Sequence, residues 1–192
     1  MKKIVLLFVL VTNFLSSQTW QPTTNIEVNI NNQRFDDVFF LNENLGWAAN
    51  GYYAKVYKTI DGGVNWTIQT SESILGSDHY FRNIEFLDEN IGFLGTLNQK
   101  FYKTTDGGTT WNLVTNITPN PVAICGLDCV GTSTLYGCGA YFTPAFVIKS
   151  TDSGNTWQYI DMSAYADALV EISFSDENTG YALGNKSNGG VI

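Results

Sequence analysis

"KTTDGGTTW", at Lys103–Trp111, is written twice more in altered form: "KTIDGGVNW" at Lys58–Trp66 and "KSTDSGNTW" at Lys149–Trp157. The shared wording is Thr/Ser-x-Asp-x-Gly-x-x-Trp. Its positions are Thr59, Asp61, Gly63 and Trp66; Thr104, Asp106, Gly108 and Trp111; and Ser150, Asp152, Gly154 and Trp157. The three aspartates stand 45 and 46 residues apart, the mark of a repeat architecture. A second phrase precedes the boxes: "FLNENLGW" at Phe40–Trp47, "FLDENIGF" at Phe86–Phe93 and "FSDENTGY" at Phe174–Tyr181. A degenerate copy, "CVGTSTLY" at Cys129–Tyr136, aligns to the second without gaps if Leu135 replaces the glycine. The chain thus holds four starts of a unit and three boxes. A period near 45 residues is that of a four-stranded propeller blade.

Each unit parses into four short strands. Alternating apolar residues mark the first: Val38 and Phe40, Ile84 and Phe86, Leu127 and Cys129, Ile172 and Phe174. The second strand reads "GWAAN", "GFLGT", "YGCGA" or "GYALG", small residues suited to a crowded propeller axis. The third is "KVYKT", "KFYKT" or "FVIKS", and the box Trp opens the fourth, "WTIQT", "WNLVT" or "WQYID". Within the box, Asp is expected to accept hydrogen bonds from backbone N–H groups two residues on, and Gly to supply a positive φ. Thr or Ser adds a local bond, and Trp wedges between neighbouring sheets. These are structural tasks. Three equivalent aspartates do not read as one catalytic group, and "TDGG" lacks the alternating oxygens of a calcium loop. No metal and no cofactor is expected.

The box resembles the Asp-box, or BNR, repeat of sialidases, sortilin-type receptors and xyloglucanases. The whole unit is more similar to the repeat of the photosystem II assembly and stability factor family and its secreted bacterial relatives. The resemblance runs from about Phe35 to the end and implies an all-β fold, a β-propeller of four-stranded antiparallel blades. Blades are expected at about 35–70, 81–116 and 122–162, with an incomplete fourth at 169–192. Thr19-Trp20-Gln21 repeats Thr156-Trp157-Gln158, so residues 19–30 read as a lone outer strand. The resemblance implies that such a strand completes a last blade. Counting from Gly180, the next box Asp falls due between 194 and 197, past Ile192. The expectation is therefore a truncated product: an open arc of three full blades plus a terminal hairpin.

Residues 1–18 stand apart. Lys2 and Lys3 precede an apolar run from Ile4 to Val11, followed by "TNFLSSQ", the order of a secretory signal peptide. The expected location is secreted, periplasmic or cell-surface. The mature chain would have no transmembrane segment. Cleavage removes two lysines and no acid, taking the formal charge from −8 to −10. Such a surface repels phosphate backbones, which argues against a nucleic-acid partner.

The enzymes of the wider family meet obstacles here. A sialidase binds its substrate carboxylate with three arginines, and this chain has only Arg34 and Arg82, at non-equivalent places in their units. A xyloglucanase-like hydrolase needs two carboxylates across a cleft. Asp36, Asp37, Asp78, Asp167 and Glu171 lie near first-strand entrances and keep that alternative open. Cys125, Cys129 and Cys138 do not have zinc-ribbon spacing. A register pairing Cys129 with Tyr136 and Leu127 with Cys138 would point all three to one buried face, as small core residues.

The strand order puts the Asp-Glu-Asn turns and boxes at one end and the irregular connections at the other. Loops on a rigid scaffold carry recognition. The candidate binding residues there are Arg34, Tyr52, Tyr53, His79, Tyr80, Arg82, Tyr141 and Phe142. The resulting expectation is a secreted, non-enzymatic scaffold binding protein or glycan through these loops. The alternative is a glycoside hydrolase fragment.

Overall fold

The computed structural model describes residues 22–23, 25–26, 33–140 and 144–187. Strands β1 (Asp37–Phe40), β2 (Gly46–Asn50), β3 (Lys55–Thr59) and β4 (Thr67–Thr70) form one antiparallel sheet in chain order. A single helical turn, α1 (Glu72–Leu75), interrupts the connection to the next sheet. That sheet is β5 (Phe81–Phe86), β6 (Gly92–Thr96), β7 (Phe101–Thr104) and β8 (Asn112–Leu113). The third holds β9 (Gly126–Val130), β10 (Thr134–Gly139), β11 (Phe146–Ser150) and β12 (Gln158–Asp161). A hairpin of β13 (Ala168–Asp176) and β14 (Thr179–Asn185) follows. The architecture is an arc of three full propeller blades plus a hairpin. The fourth strands begin just after the box Trp, not on it.

First strands pack side by side, β1 on β5, β5 on β9 and β9 on β13, and so stand at the centre of the arc. This corrects the placing of the small second strands at the axis. Their glycines have a different cause. A Cβ at Gly46, Gly92 or Gly180 would stand 2.7, 2.4 or 2.5 Å from the ring of Phe40, Phe86 or Phe174 on the adjacent first strand. The glycine makes room for a cross-strand aromatic.

Three apolar clusters fill the gaps between successive blades. Each uses one repeating pair of positions. Trp47 of β2 stacks on Phe86 of β5 at 3.6 Å and 11°, and Tyr136 of β10 stacks on Phe174 of β13 at 3.6 Å and 8°. Phe93 and Cys129 occupy the same two positions at the middle interface, in one cluster. Stacked rings contribute about 0.5–1.5 kcal/mol beyond the area they bury.

The gapless alignment of the third unit holds, but its pairing register does not. Cys129 faces Leu135 and Cys138 faces Gly126, one residue from the expected register. Three-residue turns cause this: Leu41 N donates to Leu45 O and Leu87 N to Ile91 O, and Val130 pairs with Thr134. A one-residue slip reverses faces. Cys125 and Cys129 join the core between the second and third blades, while Cys138 joins the next one. The three therefore do not share a face.

The expected signal peptide lies outside the described residues, as does most of the 19–30 strand. Of that segment, Asn25 makes an isolated parallel bridge to Asn65, and its Nδ2 donates to Asn65 Oδ1 at 2.8 Å.

Candidate functional site

At one end of the arc, three boxes repeat one hydrogen-bond circuit. Thr59, Thr104 and Ser150 donate their hydroxyls to Asp61, Asp106 and Asp152 Oδ1 at 2.9, 2.8 and 2.8 Å. The same hydroxyl accepts the N–H of Gly63, Gly108 or Gly154 at 2.9 Å. Each Asp Oδ1 then takes the N–H of Asn65, Thr110 or Thr156 at 2.8 Å. The donor stands four residues on, where two had been expected, because the glycine turn folds the chain back in αL. Gly63, Gly108 and Gly154 have φ of 89°, 92° and 75°. The Asp-Glu-Asn turns sit against the boxes: Gly62 N donates to Asn44 O and Gly107 N to Asn90 O, both at 2.9 Å. Those turns are closed by Asn42 and Asp88, each accepting two backbone N–H groups.

Trp111 and Trp157 enter the cores shared with the preceding blade, while Trp66 meets Phe40 of its own blade edge-on. Trp111 meets Phe86 edge-on at 6.0 Å beside Trp47, and Trp157 meets Phe93 and Phe101 at 6.0 and 5.3 Å. Lysines reach forward: Lys58 Nζ lies over Trp47 and donates to Gly107 O, and Lys103 Nζ donates to Asn155 Oδ1. The box hydroxyls, carboxylates and glycine N–H groups are thus occupied in holding turns and blades, and Trp66 Nε1 donates to Gly63 O at 3.0 Å, whereas the buried Nε1 groups of Trp111 and Trp157 have no hydrogen-bond partner among the described residues. Hydrogen bonds hold the Asp61, Asp106 and Asp152 carboxyls below the usual range; Asp152 is lowered to about 2, chiefly by Thr156.

The opposite end is different. Asp36, with no exposed side-chain surface, gathers groups from the first two blades. Its Oδ1 accepts Arg34 Nε at 3.0 Å and Tyr80 Oη at 3.4 Å, and its Oδ2 accepts Gly51 N at 3.0 Å. Arg82 donates to Asp36 O at 3.4 Å. Arg34, Tyr80 and Arg82 thus converge, with Tyr52 and Tyr53 close by on the loop after Asn50, edge to face at 5.2 Å. The carboxylate hydrogen bond raises the Arg34 pKa, and burial, then Asp36, raises that of Tyr80. His79 does not join this group: it is 7% exposed, its Nε2 is 2.7 Å from Tyr102 Oη, and its ring packs on Phe81. Burial lowers its pKa, so it is a neutral core imidazole and not a surface contact. Tyr141 and Phe142 lie outside the described residues.

Below the cluster, the central strands bring the candidate acids Asp37 and Glu171 together with two carboxylates that the sequence did not single out, Glu85 and Asp128. Glu85 of β5 is pushed up to about 9, first by burial and then by Asp37, Asp128 and Glu171. Asp37 accepts Ile84 N at 2.8 Å and Asp128 accepts Phe174 N, each tying one first strand to the next. Burial also raises Asp37, Asp128 and Glu171. The available signal was an acid at equivalent positions, 85 and 128, inside otherwise apolar first strands. Asp78 and Asp167 stay in the loops, bonded to Asn98 and Ser187. Among the described residues no three His, Cys, Asp or Glu side chains are grouped to hold a metal, and no helix is long and apolar enough to cross a membrane.

Repeated blades whose third and fourth strands are joined by Asp-box turns define an Asp-box β-propeller scaffold. Residues 12–145 match the family model described as Photosynthesis system II assembly factor YCF48, and the chain belongs to that family. A solved structure described as "YCF48 bound to D1 peptide" is 23% identical, with a TM-score of 0.55 over 72% of this chain and 46% of that one. YCF48 from Cyanidioschyzon merolae is 15% identical, with a TM-score of 0.60 over 82% and 49%. An ancestral GH74 enzyme is 19% identical, with a TM-score of 0.63 over 88% and 23%. These likenesses are of fold, and the chain spans less than half the length of each of these proteins. No curated protein sequence matches the chain.

Proposed function

We propose that this chain is a non-enzymatic scaffold that binds a polypeptide segment at its irregular-loop end. The observation that carries this is the convergence of Arg34, Asp36, Tyr80 and Arg82 from two blades, beside Tyr52 and Tyr53. Arginine and tyrosine on a rigid base supply planar hydrogen bonding and contact area at low entropic cost. Family membership, with one relative solved bound to a peptide, supports a protein over a glycan. The box end suits support, since its hydroxyls, carboxylates and turn N–H groups are engaged in three near-identical circuits.

The test is selection of a random 15-residue peptide display library on the immobilised chain. Enriched peptides should bind wild type and lose at least about tenfold in affinity on Arg82→Glu or Tyr52→Ala, a cost of 1.4 kcal/mol or more. Absence of such peptides, together with cleavage of xyloglucan oligosaccharides, would favour the hydrolase alternative, with Asp37 and Glu171 as its carboxylates. Export belongs to the same proposal. It rests on the signal pattern of residues 1–18, and N-terminal sequencing of the protein from an expressing culture tests it.

A further inference from the structure

The connection between β4 and β5, residues 71–80, carries α1 and ends at the candidate site, where Tyr80 reaches Asp36. Leu75 and His79 hold its inner side. His79 is turned in beneath the loop, with Nε2 at 2.7 Å from Tyr102 Oη of β7 and its ring against Phe81 of β5. Nδ1 is buried and has no hydrogen-bond partner among the described residues. When the neutral ring donates Nε2–H to Tyr102, Nδ1 is a bare lone pair and no N–H is stranded. The cation has no such option, since it carries a proton on both nitrogens and brings charge into a buried place. The groups around the ring divide. Glu72 of α1, with Asp78 and the Gly76 carbonyl of the loop, favours the cation, and Lys100 of the β6–β7 connection opposes it. Burial is the largest influence, and the balance lowers the His79 pKa. Arg82 of β5 is drawn to Asp36 O instead. The outer side of the loop is held by exposed contacts: Lys100 Nζ donates to Ser77 O and Asp78 O at 3.0 and 2.9 Å, and Asn98 Nδ2 to Asp78 Oδ1 at 3.4 Å. Asp78 sits at φ 67°, a conformation that L residues disfavour, so the closed loop is also strained.

We propose that residues 71–80 form an acid-released loop: protonation of His79 frees it from Tyr102 and withdraws Tyr80 from Asp36, so that the candidate site comes apart at mildly acidic pH. The coupling to peptide affinity rests on the function proposed above; release of the loop does not. Opening returns His79 to its ordinary value of 6.5, so the open loop takes up a proton that the closed one refuses. Closure is therefore at full strength above 6.5 and weakens below it, by at most about tenfold per pH unit, until the closed ring is itself protonated.

The chain has one histidine, so untagged protein gives a single imidazole signal in proton NMR. Its midpoint should lie below 6.5. Hydrogen–deuterium exchange, corrected for its intrinsic pH dependence, should show protection of residues 71–80 falling about tenfold between about pH 7.5 and about pH 5, with the three boxes unchanged. His79→Gln takes up no proton and should abolish that fall. A peptide selected on the chain should bind wild type about tenfold more weakly at the lower pH, and His79→Gln equally at both. If circular dichroism shows that His79→Gln melts early, Tyr102→Phe replaces it and should show the acid level of protection already at about pH 7.5. Release is overturned by a midpoint at or above 6.5, by protection that does not change with pH, by a fall that survives His79→Gln, or by Tyr102→Phe protected like wild type. A loop that opens in acid with peptide affinity unchanged overturns its coupling to the site. Failure to select any peptide counts against the proposed function and leaves exchange to decide the release.

Discussion

The hydroxyl of Thr104 donates to Asp106 and accepts from Gly108 N within one turn, and its side chain is fully buried. Thr104→Val keeps the shape and strands the glycine N–H, which should cost about 1–3 kcal/mol in chemical denaturation. Asp106→Ala removes a more exposed acceptor, comparable to a lost helix cap, and should cost about 1 kcal/mol. Neither should change peptide affinity of the folded protein; weaker binding at unchanged melting would contradict the structural role. Two carboxylates give opposite pH signatures. Asp152 titrates in the fold at about 2, below its ordinary value of 3.8, so its stabilisation is complete above that value and fades as pH falls towards 2. Glu85 titrates in the fold near 9, above its ordinary 4.5. Its burden is therefore absent below pH 4.5, grows from there to 9 and is full above 9. Glu85→Gln should raise stability at pH 8 by on the order of 1–3 kcal/mol, with the gain shrinking to nothing near pH 4.5. A gain independent of pH would show that Glu85 is not held neutral.

Within a blade, the turns are the parts most legible from residue types. Asp, Asn and Gly in fixed order write their own hydrogen bonds, which is why box and Asp-Glu-Asn turn positions emerge directly. Ser153 is the exception that tests this: it sits at φ 58° where the other boxes place Gly62 and Gly107. Ser153→Gly should stabilise the third blade by up to about 1 kcal/mol, read as a rise in melting temperature. Strand pairing was less legible, because a three-residue and a four-residue turn look alike until one sees which carbonyl Ile91 offers Leu87. That single step sends Cys138 to the opposite face from Cys129. The purpose of the second-strand glycines was equally hidden, since it depends on a ring across the hairpin. Phe86→Ala should cost about 3–5 kcal/mol, because the ring serves Gly92, Trp47 and Trp111 together.

Across the whole molecule, a repeat shows its fold readily and its site poorly. What recurs is scaffold, and the boxes are legible because they recur. The loop-end cluster is built from positions that do not recur: Asp36 is equivalent to Arg82, and Arg34 to Tyr80, so only the arc brings these unlike residues together. Two of the central carboxylates were missed for a related reason. Alternation was read for apolar residues, while Glu85 and Asp128 point into gaps between first strands that exist only once the blades stand side by side. The central claim is that support and recognition occupy opposite ends of this propeller arc. Hydrogen–deuterium exchange with and without a selected peptide tests it most directly. The account predicts added protection at residues 34–36, 50–53 and 80–82, with unchanged exchange at the three boxes. Protection confined to the boxes at 59–66, 104–111 and 150–157 would contradict it.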